Sequence, residues 1–94
     1  MASTPVGPDG GLDVISTEAV AQVKMEGAPT SRPILQALHG VAQAEDKRGL
    51  FFSLNGYTKE AQVWGDSVGM PLFQFDLQGE PRPVNQFARR LLEV

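Results

Sequence analysis

The sequence predicts an α/β domain with a mixed sheet of about four strands, an N-terminal hairpin plus parallel strands, flanked by helices. Three observations lead there. Residues 9–24 alternate with period two on either side of a turn. Apolar residues recur at helical spacing in later stretches. Between those stretches lie short apolar runs, the richest being Leu50-Phe51-Phe52. A hairpin, helix, strand, helix, strand, helix order closes as a mixed sheet with two right-handed crossovers, its last three strands parallel. In such sheets a polar site forms at the carboxyl ends of the parallel strands.

Each element has its own local cause. Residues 1–8, with Pro5, Gly7 and Pro8, read as an irregular lead-in to a domain spanning residues 1–94. Gly10-Gly11 permits a tight turn before a first strand at Leu12–Thr17, and a second strand covers Val20–Met25. Glu26-Gly27-Ala28-Pro29 breaks it. Thr30 or Ser31 can cap a helix over Arg32–Ala44, where Pro33 is tolerated because the first turn has unpaired N–H groups. Ile34, Leu35, Leu38, Val41 and Ala42 form its apolar stripe.

After the charged link Glu45–Arg48, the run Gly49–Leu54 reads as a strand buried on both faces. Asn55-Gly56 reads as a strand-to-helix turn because helical spacing follows it. Thr58 caps a helix over Lys59–Val68 with Ala61, Trp64 and Val68 inward, and Gly69 closes it. Pro71–Asp76 is the next strand, Gln78-Gly79-Glu80-Pro81 a turn, and Pro83–Leu92 a last helix burying Val84, Phe87, Ala88 and Leu91.

Composition narrows the function classes. An apolar content of 41% with 20% charged residues suits a globular chain that buries a core. The absence of cysteine excludes disulfides and thiolate metal sites. No apolar run is long enough to span a bilayer, and the N-terminus lacks the regions of a signal peptide, so a cytoplasmic location is the default expectation. A net charge of −3 argues mildly against nucleic-acid binding, but binding depends on the distribution of charge rather than its sum.

The most informative stretch is the hairpin. Gln22 and Lys24 share one strand face, while Ala21 and Val23 take the other. A two- or four-residue loop (Glu18-Ala19 or Thr17–Val20) sets Asp13 directly opposite Lys24, whereas a three-residue loop puts it on the other face unless a bulge intervenes. The first case is the informative one. A carboxylate, an amide and an ammonium then converge on an otherwise apolar ribbon. Mg²⁺ takes hard oxygen ligands, and the Asp13 carboxylate, the Gln22 amide oxygen and the Val23 carbonyl can supply three. Lys24 would orient or activate an attacking water and offset charge developing on phosphorus. From spacing alone, a strand pair with an Asp13–Lys24 contact explains these residues equally well.

From Asp9 to about Leu92 the chain resembles the catalytic core of Mrr-like restriction endonucleases, within the PD-(D/E)xK nuclease superfamily. The resemblance rests on Asp9-Gly10-Gly11-Leu12-Asp13-Val14, then Gln22-Val23-Lys24, supported by Leu38-His39-Gly40-Val41-Ala42. Gly56-Tyr57-Thr58-Lys59-Glu60-Ala61 is similar to the family's Gly-Phe-Thr-x-x-Ala. It implies a restriction-endonuclease-like fold and metal-dependent hydrolysis of DNA phosphodiesters, of the type IV restriction kind. Asp13, Gln22 and Lys24 take the catalytic roles, with Mg²⁺ as cofactor and Mn²⁺ as a substitute. Gln22 is the family's own variant of a usual Glu. Asp9 and Gln36 are candidates to support the site from behind. The family usually carries a helix, and often a strand, before the Asp-Gly-Gly segment, and eight residues are too few for that helix. The uncovered surface leads to an expected homodimer, a partner chain, or a place within a longer protein.

Other residues read more plainly. His39 fits a partly exposed helix position better than a ligand, and Trp64 fits the core better than a base-stacking platform. Arg89-Arg90 suits a helix C-terminus, and Lys47-Arg48 a solvated turn. Arg32 and Lys59, each near a helix start above the site, are the expected contacts to DNA phosphates. A reduced nuclease fold kept for DNA binding or protein association is the alternative, and a purely structural α/β domain a third reading.

Overall fold

A computed structural model describes residues 2–3, 11–15, 18–25, 27–76 and 78–92, with side chains described from residue 18 onward. The chain builds one sheet in the order β1-β2-β3-β4-β5-β6. The strands are β1 (Ala2–Ser3), β2 (Gly11–Ile15), β3 (Ala19–Lys24), β4 (Arg48–Ser53), β5 (Leu72–Phe75) and β6 (Pro81–Pro83). Helices α1 (Arg32–Ala44), α2 (Lys59–Val68) and α3 (Gln86–Leu92) lie between or after them. The sheet is mixed: within its four strands β3 to β6, β3, β4 and β5 run parallel and β6 is antiparallel to β5.

The sheet differs from the expected one at both edges. Ala2–Ser3, within the stretch read as an irregular lead-in, pairs antiparallel with β2. The N-terminal part is therefore not the simple two-stranded hairpin, because a third antiparallel strand lies outside it. At the other edge Pro81–Pro83, read as the end of a turn and the start of a helix, forms β6. Proline lacks an N–H and is confined to edge strands, and β6 is an edge. The last helix accordingly begins at Gln86 rather than Pro83.

Register assigns the faces. Val20, Gln22 and Lys24 of β3 pair with Gly49, Phe51 and Ser53 of β4. Phe51 and Ser53 pair in turn with Leu72 and Gln74 of β5. This face is the helix-covered one. Leu35 and Leu38 of α1 and Ala61 of α2 pack with Val20, Phe51, Met70 and Leu72 into the core. Burying side chains such as Phe51, Leu35 and Leu72 stabilises by roughly 1.5–3 kcal/mol each relative to exposure. On the opposite face, Ala21, Val23, Leu50 and Phe52 are only half-buried. There Phe52 stacks on Phe73, its register partner, with ring centroids 4.6 Å apart.

The helices end where their sequence says they should. The Thr58 hydroxyl accepts a hydrogen bond from the Ala61 N–H at 3.1 Å, capping α2. Gly69 adopts a left-handed conformation (φ 71°), its N–H donates to Asp66, and the Met70 N–H donates to Gly65. That pair of bonds is a Schellman closure, which favours glycine at the left-handed position. α1 begins at Arg32 as expected, with Ser31 at the cap position but no side-chain capping bond. Two residues placed in the apolar stripes, Val41 and Val68, are instead exposed.

Candidate functional site

The residues singled out in the hairpin meet on one face of the sheet, though not in the expected register. Asp13 pairs with Gln22 and Gly11 with Lys24, so Asp13 is opposite Gln22 rather than Lys24. The shift is by two residues, and an even shift keeps every residue on its own face. The backbone positions of Asp13, Gln22 and Lys24 thus share the helix-covered face, while the Asp13 side chain and all of Asp9 lie outside the described residues. The Lys24 carbonyl accepts from the Leu54 N–H of the β4 side at 3.0 Å. Carbonyls alternate along a strand, so that of Val23 is directed toward β2, the strand carrying Asp13.

Gln22 and Lys24 are both half-buried, near the carboxyl ends of the parallel strands. The Lys24 ammonium donates to the Ala28 carbonyl at 3.1 Å. Its stem passes beside Gly27, which has φ 94°; a Cβ there would sit 3.7 Å from Lys24 Cε. The Asn55 amide donates to the Gly27 carbonyl, tying this loop to the end of β4. Among the described residues no hydrogen bond or ion pair joins Gln22 to Lys24.

A buried polar knot supports the loops. The Thr30 hydroxyl donates to Ser53 Oγ at 2.9 Å, and the Ser53 hydroxyl donates to the Gly56 carbonyl at 2.8 Å. The Thr30 N–H donates to Gly56 and the Thr58 N–H to Thr30, so the loops entering α1 and α2 are joined. Thr30, weighed as a cap, is fully buried in this knot instead. Sequence reasoning missed the pair because isolated Thr and Ser residues carry no periodic signal.

Tyr57 also anchors the same region. Its hydroxyl lies 2.6 Å from the Phe73 carbonyl and 2.9 Å from that of Phe51, and its single proton is shared between them. Burial pushes its pKa well above the ordinary tyrosine value.

The remaining candidates fall around this end. Arg32 and Lys59 start α1 and α2, are exposed, and line one groove of about 400 Å³ together with Glu60, Val63, Trp64 and Ser67. Gln36 is exposed on α1. His39 is half-buried and meets Trp64 edge-on, ring centroids 5.3 Å apart. The described residues contain no cluster of three His, Asp or Glu side chains placed to hold a metal ion. No described helix is long and apolar enough to cross a membrane.

Comparison with known proteins gives one result that bears on these residues. Residues 1–76 match the family model Mrr_cat, described as a restriction endonuclease. No curated protein and no solved structure matches the chain.

Proposed function

This chain belongs to the Mrr_cat restriction endonuclease family, and from that premise we propose that it hydrolyses DNA phosphodiesters with Mg²⁺, using Asp13, Gln22 and Lys24. The observation that carries the reading is the strand register. It pairs Asp13 with Gln22 and sets Lys24 two residues along the same face, beside the carboxyl ends of parallel strands. The matched residues include all three.

The donor chemistry fits a hard cation. Asp13 brings a carboxylate and Gln22 an amide oxygen, both donors of the kind Mg²⁺ accepts, and the second lone pair of the Val23 main-chain carbonyl would add a third. Bound there, Mg²⁺ or Mn²⁺ would polarise the scissile phosphate and make a water more acidic. The chain's own residues do the rest. Lys24 holds the attacking water and balances negative charge gathering on the phosphoryl oxygens. Its stem rests on Gly27 and its ammonium on Ala28, so the group is held near the strand end before substrate arrives. Arg32 and Lys59 steer the phosphate backbone, and Gln36 and Asp9 support the site from outside it.

DNA is the proposed substrate and a second copy of the chain the proposed partner, covering the half-buried apolar face that carries Ala21, Val23, Leu50 and Phe52. One observation favours the alternative of a non-catalytic DNA-binding or association module: the Lys24 ammonium is already taken up by a loop carbonyl, as a structural lysine would be.

Calorimetric titration of Mn²⁺ with and without duplex DNA separates the two. A neutral amide at position 22 leaves the site with less negative charge than a Glu would, so the free protein binds metal weakly and more tightly once a phosphate joins. Gln22→Glu strengthens binding without DNA, and Asp13→Ala abolishes it. If Asp13→Ala binds metal and DNA as the parent does, the chain is a non-catalytic member of the family.

A further inference from the structure

We propose that the groove between α1 and α2 takes up one unpaired nucleotide of single-stranded DNA, its phosphate at Arg32 and Lys59 and its base against Trp64 and Val63. The proposal rests on the nucleic-acid reading above and gives the substrate a second, separate point of attachment. The groove is open to solvent, measures about 400 Å³, and is lined by α2 along one side with Arg32 at the start of α1 facing it. Pockets of roughly 300–1,000 Å³ suit small organic ligands, and a nucleotide is of that kind.

The two cations come from different helices across a gap that the backbone fixes. Thr30 and Tyr57 form a parallel bridge just before α1 and α2, and the Thr30–Gly56 and Thr58–Thr30 bonds reinforce it. Arg32 and Lys59 therefore face a common space at the end of the sheet where Lys24 lies. The floor is apolar and exposed. Val63 keeps 63% of its surface accessible, the most of any large apolar residue described. Trp64 is half-buried and braced edge-on by His39 at 87°, which holds its indole in a set orientation. Glu60 offsets one of the two positive charges, so attachment depends on stacking as well as charge. In a chain of net charge −3, this pairing of two cations with an aromatic floor is complementary to a phosphate carrying an unstacked base. A duplex hides its base faces, and only an unpaired nucleotide offers one to the indole.

The test uses the chain's single tryptophan as reporter. The metal-free protein, with chelator present to prevent cleavage, is titrated with a short oligothymidylate while Trp64 fluorescence is followed. Saturable quenching is expected, with much less on titration with duplex. Arg32→Ala and Lys59→Ala each weaken binding about fivefold or more, and each lowers the salt slope by about 0.7. Val63→Glu weakens it through repulsion, while Arg89→Ala, outside the groove, leaves it unchanged. Fluorescence that never responds, or quenching that persists undiminished in both Arg32→Ala and Lys59→Ala, overturns the groove proposal. Duplex cleavage by the parent with Mg²⁺, measured alongside, is the separate readout of the hydrolytic reading.

Discussion

Asn85 and Lys24 stand at opposite ends of the parallel strands, and their polar atoms are used in contrasting ways. Asn85 is buried beside the amino end of β5. Its amide donates to the Asp66 carboxylate at 3.0 Å and to the Met70 carbonyl at 2.8 Å. Its carbonyl oxygen accepts from the Leu72 N–H at 3.3 Å and from the Ala88 N–H at 3.0 Å, the second bond capping α3. Every donor and acceptor of the side chain is spent on the fold. Lys24, half-buried at the other end, carries three N–H donors and, among the described residues, gives one to Ala28. A polar group with all its bonds satisfied inside the protein holds structure, whereas one with donors to spare can bind something from outside.

That contrast is sharpest in stability. Asn85→Ala removes the cap of α3 and strands the Leu72 N–H and the Met70 carbonyl. The expected loss is about 3 kcal/mol, read from denaturant unfolding. A loss no larger than that of an exposed substitution would break the distinction. Gly27→Ala comes next. With φ at 94°, a side chain is strained whatever space surrounds it, and about 1–2 kcal/mol is expected. A methyl group there would lie 3.7 Å from Lys24 Cε, an ordinary contact, so the cost is one of backbone conformation and the lysine keeps its bond to Ala28.

Tyr57→Phe sharpens the comparison from the structural side. The hydroxyl serves two strand carbonyls, and removing it costs about 1 kcal/mol. The folded-state pKa of Tyr57 is raised, so the folded chain keeps the proton that the unfolded chain releases near pH 10. The stability from this group is therefore complete below about pH 10 and declines as pH rises beyond it. Tyr57 is the only tyrosine. Absorbance of the phenolate should appear together with unfolding rather than before it, and Tyr57→Phe should flatten the alkaline decline.

Legibility in the sequence followed the same division. α1 and α2 could be read because capping residues, a helical stripe and Gly69 all gave the same bounds. The parallel core could be read because Leu50-Phe51-Phe52 has no helical alternative of adequate length. The C-terminal edge could not. Pro81 and Pro83 look like a turn and a helix start, and only the position of β6 at the sheet edge lets prolines enter a strand. Once Pro83 is taken as helix, Asn85 cannot be recognised as a cap. The faces of Gln22 and Lys24 followed from period two, but the pairing of Asp13 with Gln22 depends on loop geometry that no residue pattern specifies. The Thr30–Ser53 knot was hidden for another reason, since tertiary hydrogen bonds between residues 23 apart leave no local trace.

The smallest stability effect is expected of Lys24→Ala, under about 1 kcal/mol, since its one described side-chain bond is to an exposed loop carbonyl. Its effect on chemistry should be the largest of all. The decisive measurement is the rate of Mg²⁺-dependent duplex DNA cleavage by the parent and by Lys24→Ala, with unfolding curves run on the same preparations. The account predicts a loss of about a thousandfold or more in rate with little change in the unfolding midpoint. Cleavage at the parental rate by a folded Lys24→Ala protein would contradict it.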